Sequence, residues 1–459
     1  MKKNMLLIWA ALAMSLSLSL LAQDDPSAWK FYPYQDPGSE IVFPKDEGKH
    51  YGIPNMEWWY SVMHLKGQTS GDRYAVLVTH FNNQIRLFTV TNLDKKVHTS
   101  GATMGLLNSA SGHLELSHRT KYGKDIFRTK RGVDRKLIPF EYEIQTHHDK
   151  MNLSVQLKSQ KRPMMVAGDG YIPVGTSGHT WYYSLTSLAV SGELEHQGLK
   201  EKVTGIGWMD HQWGPFIISP FELGRTFETY EWFCVQLDNG MELMISNIYD
   251  RDYHLPMTEN YGAVELLYSN GEGRHTERRQ FTRTNYWRDP VSGHTMSMGW
   301  ELKVPELNVD IKLTPDMVEQ MVQLPLNGSF WEGSVSVTGT IDGVAVKGKA
   351  FGELLHRFEK PEIEIATLKT SWKRNETLTL DWRVKNSDDG NPLNFSIYLV
   401  QNGVETLLKQ DMLATQFSAK LDSILGVGST AKFTLKVRAY SVDKTIKGGA
   451  ETSMLKLVL

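Results

Sequence analysis

Almost every readable segment of this chain alternates with a period of two, and almost none repeats with a helical period. Residues 58–65, 73–79 and 85–91 are rich in β-branched and aromatic side chains and are parted by Gly/Ser/Thr or Asn-Asn turns. That is the pattern of antiparallel hairpins. The same character continues at 113–116, 140–147 and 153–159, and 182–190 and 192–196 read as two strands joined tightly. Further on, 229–236 and 241–249 flank Asp238-Asn239-Gly240, the strongest short-range turn signal in the chain. A short helix is expected only at 315–321, with a weaker candidate at 404–413. The expected class is all-β.

Two features divide the chain. Glu57-Trp58-Trp59-Tyr60 and Glu231-Trp232-Phe233-Cys234 each open a strand set, and their first residues stand 174 positions apart (231 minus 57). Two related antiparallel barrels or curved sheets would produce such an echo. Composition shifts after Glu359 to alternating strands with charged turns, the pattern of a small β-sandwich, immunoglobulin-like but without a Cys...Trp...Cys signature. Lys2 and Lys3 precede an apolar, serine-rich core that ends at small residues, the form of a secretory signal peptide. The expected order is signal peptide 1–22, irregular lead-in 23–50, first barrel 51–214, second barrel 215–359 and sandwich 360–459. Trp29, Phe31, Tyr32 and Tyr34 of the lead-in are expected to pack onto the body. The mature chain is expected to be exported, to the periplasm or beyond the cell, and soluble.

Several chemistries have no support in the residues. Cys234 is the only cysteine, which excludes an intrachain disulfide framework, and its aromatic neighbours suit a buried thiol. The formal net charge is −2 with no basic stripe, so nucleic acid is not an expected partner. Past the leader no run reaches the roughly 20 apolar residues of a membrane helix. There is no G-x-S-x-G elbow, no H-E-x-x-H and no Gly-rich nucleotide loop. His80, His179, His211 and His254 lack ligand spacing, so neither a metal nor any other cofactor is expected.

The most concentrated chemistry lies in Gly205-Ile206-Gly207-Trp208-Met209-Asp210-His211-Gln212-Trp213-Gly214. As an extended segment it places Trp208, Asp210 and Gln212 on one face, and Met209, His211 and Trp213 on the other. A carboxyl against an aromatic wall is desolvated, which favours its protonated form and suits it to donate a proton near neutral pH. The same residues also fit a structural part, with Asp210 capping a turn and the indoles closing a barrel end. Glu57, Tyr60, His64, His80 and Arg86, then His179, Tyr182, Tyr183, Ser184, Asp210 and His211, are expected at one barrel's interior or rim. Thirteen tryptophans favour a large apolar ligand in such a pocket.

Four stretches carry a family resemblance. They are Glu57-Trp58-Trp59-Tyr60, His179-Thr180-Trp181-Tyr182-Tyr183-Ser184, Gly207-Trp208-Met209-Asp210-His211-Gln212-Trp213-Gly214 and Phe330-Trp331-Glu332-Gly333 with Gly339 and Gly348. In this order they resemble the lipocalin-like carotenoid 1,2-hydratases (hydroxyneurosporene synthases) and the exported proteins related to them, over roughly residues 44–358. The resemblance implies two lipocalin-like β-barrel domains, a lipophilic, isoprenoid-like ligand and hydration of a C=C bond without a cofactor. It implies Asp210 as proton donor with Trp208 as its wall, Tyr60, Tyr182 and Tyr183 as cation stabilisers or water positioners, and Glu57 or His179 as the residue that holds the water or orients the acid. Trp58, His64, Arg86, Tyr182, Tyr183 and Trp232 are the expected ligand contacts. The alternative is a non-catalytic carrier of lipids or other hydrophobes in the cell envelope, its C-terminal sandwich docking to an envelope or protein partner.

Overall fold

The computed structural model describes residues 26–52, 56–176, 178–217, 227–325, 328–386, 392–426, 432–441 and 443–458. The proposed signal peptide lies outside the described residues. Among the described residues the fold is all-β, and helix is confined to short pieces such as Leu421–Ile424 and single 3-10 turns. No helix among the described residues is long and apolar enough to cross a membrane.

A 13-stranded antiparallel sheet occupies the first half of the chain. Its central strands are Arg73–Phe81, Met56–Gly67, Leu199–Gly214 and Gly178–His196, in that spatial order. The ends of the strand path, Val97–Met104 and Leu106–Ser109, are consecutive in sequence with Gly105 alone between them, so the path returns to its start. The result is a near-closed barrel. Alternate residues such as Trp59, Met63, Val76, Phe88, Phe127, Ile144, Leu185 and Met209 converge inside it on one buried core.

A 10-stranded sheet follows, and its strand order repeats that of the first. Thr229–Leu237 sits between Glu242–Tyr249 and Val344–Leu354, as Met56–Gly67 sits between Arg73–Phe81 and Leu199–Gly214. The two Glu-Trp motifs therefore open topologically equivalent strands. This sheet has its own core around Phe233, Trp300, Trp331 and Val335. A third apolar layer, including Tyr60, Val62, Trp208, Trp232, Cys234 and Phe351, packs the outer face of one sheet against the outer face of the other. Beyond them, the strands from Ile363–Ile365 to Leu455–Leu457 form a three-stranded and a six-stranded sheet around Leu380, Trp382, Ile397 and Leu435.

Several local expectations change. Residues 182–196 belong to one uninterrupted strand, Gly178–His196. Gly192 makes no turn; a Cβ there would lie 2.1 Å from the Ser154 carbonyl oxygen, so glycine serves close strand approach. No helix forms at 315–321: Pro315 ends the strand Val309–Pro315, the next strand starts at Met321, and Asp316 between them accepts from Ser334, Ser336 and Lys349. Residues 404–412 are the strand Val404–Met412, paired with Leu393–Gln401. In the lead-in, Trp29, Tyr32 and Tyr34 pack on the first core, whereas Phe31 is 66% exposed.

Candidate functional site between the sheets

Pairing fixes the neighbourhood of Asp210. It stands opposite Tyr60 on one side and Ser184 on the other. Because side chains alternate, Tyr60, Tyr182, Ser184, Trp208 and Asp210 all leave the barrel wall outward, toward the second sheet. His211, Tyr183 and Trp213 point into the barrel core. Asp210 is buried, and its carboxylate accepts from Tyr182 Oη at 2.6 Å, Ser184 Oγ at 2.5 Å and Trp208 Nε1 at 2.6 Å. Burial raises its pKa to about 6, against the lowering effect of those three donors.

A cavity of about 290 Å³ opens between the sheets next to this cluster. Its apolar wall includes Trp58, Phe81, Leu87, Phe330 and Leu355, and its polar groups include Tyr60, Tyr230, Glu332 and Glu353. Asp210 is one side chain removed, with Tyr60 as the neighbour that reaches the cavity. Glu332 and Glu353 are direct cross-strand partners, Glu332 buried and Glu353 half-buried. Tyr230 Oη donates to Glu353 Oε1 at 2.5 Å. Burial pushes Glu353 up to about 7 and, with the Glu353 charge adding to it, holds Glu332 well above the carboxylate range. The geometry thus places two protonatable carboxyls on the wall of an apolar cavity and a third directly behind Tyr60.

The residues singled out by sequence separate into two groups. Trp58 and Tyr60 line the cavity; Tyr182, Trp208 and Asp210 form the bonded cluster beside it; Trp232 packs edge-on to Tyr60 and Trp208. His64 joins the two sheets through Nε2 to Ser334 Oγ at 3.0 Å, and burial lowers its pKa to about 4. Arg86 lies instead on the inner face of the barrel, in a fully buried ion pair of 2.9 Å with Asp125. His80, also inside, contacts His118. His179 is half-buried between Tyr171 and Trp181, on the strand face opposite to Tyr182. Glu57 is fully buried inside, held by His50 and His211. Cys234 is buried in the inter-sheet layer and its thiol is held high, first by burial. Glu353 and Tyr230 were not singled out by sequence. The available signal was Glu353 standing at the parity of Phe351 and Leu355, an acid between two large apolar side chains.

The chain is thus all-β among the described residues, with a near-closed antiparallel barrel and an acid-bearing apolar cavity on the barrel's outer wall. A family model, AttH-like, matches residues 34–357, and the chain belongs to that family. Among solved structures, an AttH-type protein from Nitrosomonas europaea is 21% identical with a TM-score of 0.56, covering 71% of this chain and 99% of its own. Kievitone hydratase from Nectria haematococca is 18% identical with a TM-score of 0.54, covering 71% of this chain and 97% of its own. Both likenesses concern the fold. No curated protein matches the sequence.

Proposed function

We propose that this protein binds a lipophilic, isoprenoid-like molecule in the cavity between its two large sheets and adds water across a C=C bond by carboxylic-acid catalysis. The observation that carries the reading is the joint presence of an apolar cavity and the protonatable pair Glu332 and Glu353 on its wall. The hydratase that shares the fold agrees with it. In the proposed reaction a carboxyl proton passes to one alkene carbon, leaving a cation on the more substituted carbon. The faces of Trp58, Tyr60 and Tyr230 stabilise that cation. Water then forms the C–O bond, and its proton returns to the carboxylate, so no cofactor is consumed. Asp210, oriented by Trp208 and Tyr182, is the proposed proton source from behind Tyr60, and Glu353 on the cavity wall, which feels the Asp210 charge, is the carboxyl proposed to meet the alkene.

The alternative is carriage without chemistry, and two observations favour it: the Asp210 carboxylate is engaged as acceptor by Tyr182, Ser184 and Trp208, and Asp210 does not line the cavity. Under either reading, residues 51–214 and 215–359 act as two lipocalin-like barrel units. Residues 360–459 form a sandwich that docks the exported protein to an envelope or protein partner.

The test is mass spectrometry of the organic extract of protein purified gently from its own cells. An unsaturated lipid or terpenoid together with its singly hydrated form supports hydration and supplies the assay for Asp210→Asn and Glu353→Gln. An unmodified lipid alone supports carriage. An Asp210→Asn variant with full turnover removes Asp210 as the donor, and extracts free of any lipophile count against both readings.

A further inference from the structure

Inside the first barrel, away from the inter-sheet cavity, two strands and the lead-in bring together a separate polar cluster. Glu57 comes from Met56–Gly67 and His211 from Leu199–Gly214. His50 comes from the segment that follows the 3-10 turn Lys45–Glu47. Glu57 Oε1 lies 2.9 Å from His50 Nδ1 and 3.2 Å from His211 Nε2. One ligand atom from each of the three residues can be chosen so that all lie within 4.8 Å of one another. Glu57 and His211 are completely buried, and His50 keeps 15% of its side chain exposed, which leaves solvent an approach.

We propose that His50, Glu57 and His211 form a binding site for a divalent transition-metal ion of the zinc type. Two imidazoles and one carboxylate are a common set of three protein ligands for such an ion, with a further position left to water. Ligands on one tetrahedral zinc at about 2.0–2.1 Å stand about 3.3 Å apart, close to the two distances from Glu57 to the imidazoles.

Three further observations point the same way. Glu57 Oε2 is buried and has no hydrogen-bond partner among the described residues, an expensive state for a carboxylate oxygen that a bound ion would relieve. His50 Nε2, on the far side of its ring, lies 3.2 Å from Asp46 Oδ1, the carboxylate–histidine arrangement that orients a metal-bound imidazole. The cluster also has an aromatic wall: His50 stacks on Trp213 with ring centroids 4.0 Å apart, and Trp59 stacks on His211 at 4.8 Å. Sequence spacing concealed this set, since the ligands lie at positions 50, 57 and 211. Without an ion, Glu57 accepts from both rings; with one, the ion replaces the two ring protons that face the carboxylate. The bound ion would clip the lead-in to the barrel end.

The experiment uses full-length mature protein stripped with a chelator and titrated with Zn²⁺ by calorimetry, then with Co²⁺ by visible absorption. Expected are one saturable equivalent, visible Co²⁺ bands of a low-coordinate site, and a rise in melting temperature with Zn²⁺. His50→Ala, a change in a partly exposed segment, should weaken Zn²⁺ binding by more than about 100-fold, and Asp46→Asn by about 10- to 100-fold. Circular dichroism checks that both variants fold. Absence of a saturable equivalent in the wild type, or a folded His50→Ala that binds like the wild type, overturns the proposal.

Discussion

Glu332 and Glu353 face each other directly across two antiparallel strands at the wall of the inter-sheet cavity, Glu332 buried and Glu353 half-buried, and no cation among the described residues contributes to the electrostatics of either. Two ionised carboxylates cannot share such a place cheaply, because burial and their mutual repulsion act in the same direction. The pair therefore keeps a proton close to neutral pH and titrates as a unit. That property connects the strand register to any acid chemistry in the cavity.

Its first consequence is a pH dependence of stability. Glu353 titrates near 7 in the folded chain and near its ordinary 4.5 when unfolded. Between these values the folded chain holds a proton that the unfolded chain has released, so this group's contribution to stability falls as pH rises from about 4.5 to about 7. Glu353→Gln should reduce the loss between pH 5 and 8 by about 1–3 kcal/mol. Urea midpoints at the two pH values provide the check, and parallel profiles for variant and wild type would refute it.

The bonded cluster makes a second prediction. Ser184→Ala removes one of the two donors to Asp210 Oδ1 and leaves Tyr182 and Trp208 in place. The cost should be about 1–3 kcal/mol, as for a buried charged acceptor losing a donor. A double-mutant cycle with Asp210→Asn isolates the bond. A coupling energy indistinguishable from zero would show that the two side chains do not interact.

A third concerns Arg86, which serves the barrel interior. Asp125→Asn leaves the Arg86 guanidinium buried without its counter-charge, a change that should cost about 3–5 kcal/mol. Arg86→Met combined with Asp125→Leu should recover much of that loss. Chemical denaturation measures both. A lipophilic fluorescent probe bound in the inter-sheet cavity should retain its affinity in the double variant, whereas a loss there would place Arg86 at the ligand.

Gly192 gives a fourth. Its Cβ would collide with the Ser154 carbonyl oxygen, so Gly192→Ala should destabilise by about 1–3 kcal/mol through strand displacement. A neutral result would mean that the neighbouring strand approaches less closely than 2.1 Å implies.

By itself the sequence determined the all-β class, the echo of Glu57-Trp58 in Glu231-Trp232 and the shared face of Trp208 and Asp210. Alternation and turn chemistry are local, so they can be read along one segment at a time. Only the tertiary structure decided which space each face meets. Trp208 and Asp210 turn outward to a second sheet, while Glu57, Arg86 and His211 turn into the barrel. Alternation distinguishes two faces but does not say which is inside. Pairing between strands far apart in sequence then set Glu332 against Glu353, and the return of the lead-in over the barrel end set His50 and Asp46 beside Glu57 and His211. Those juxtapositions follow from register and chain crossing, which no single stretch of residues encodes.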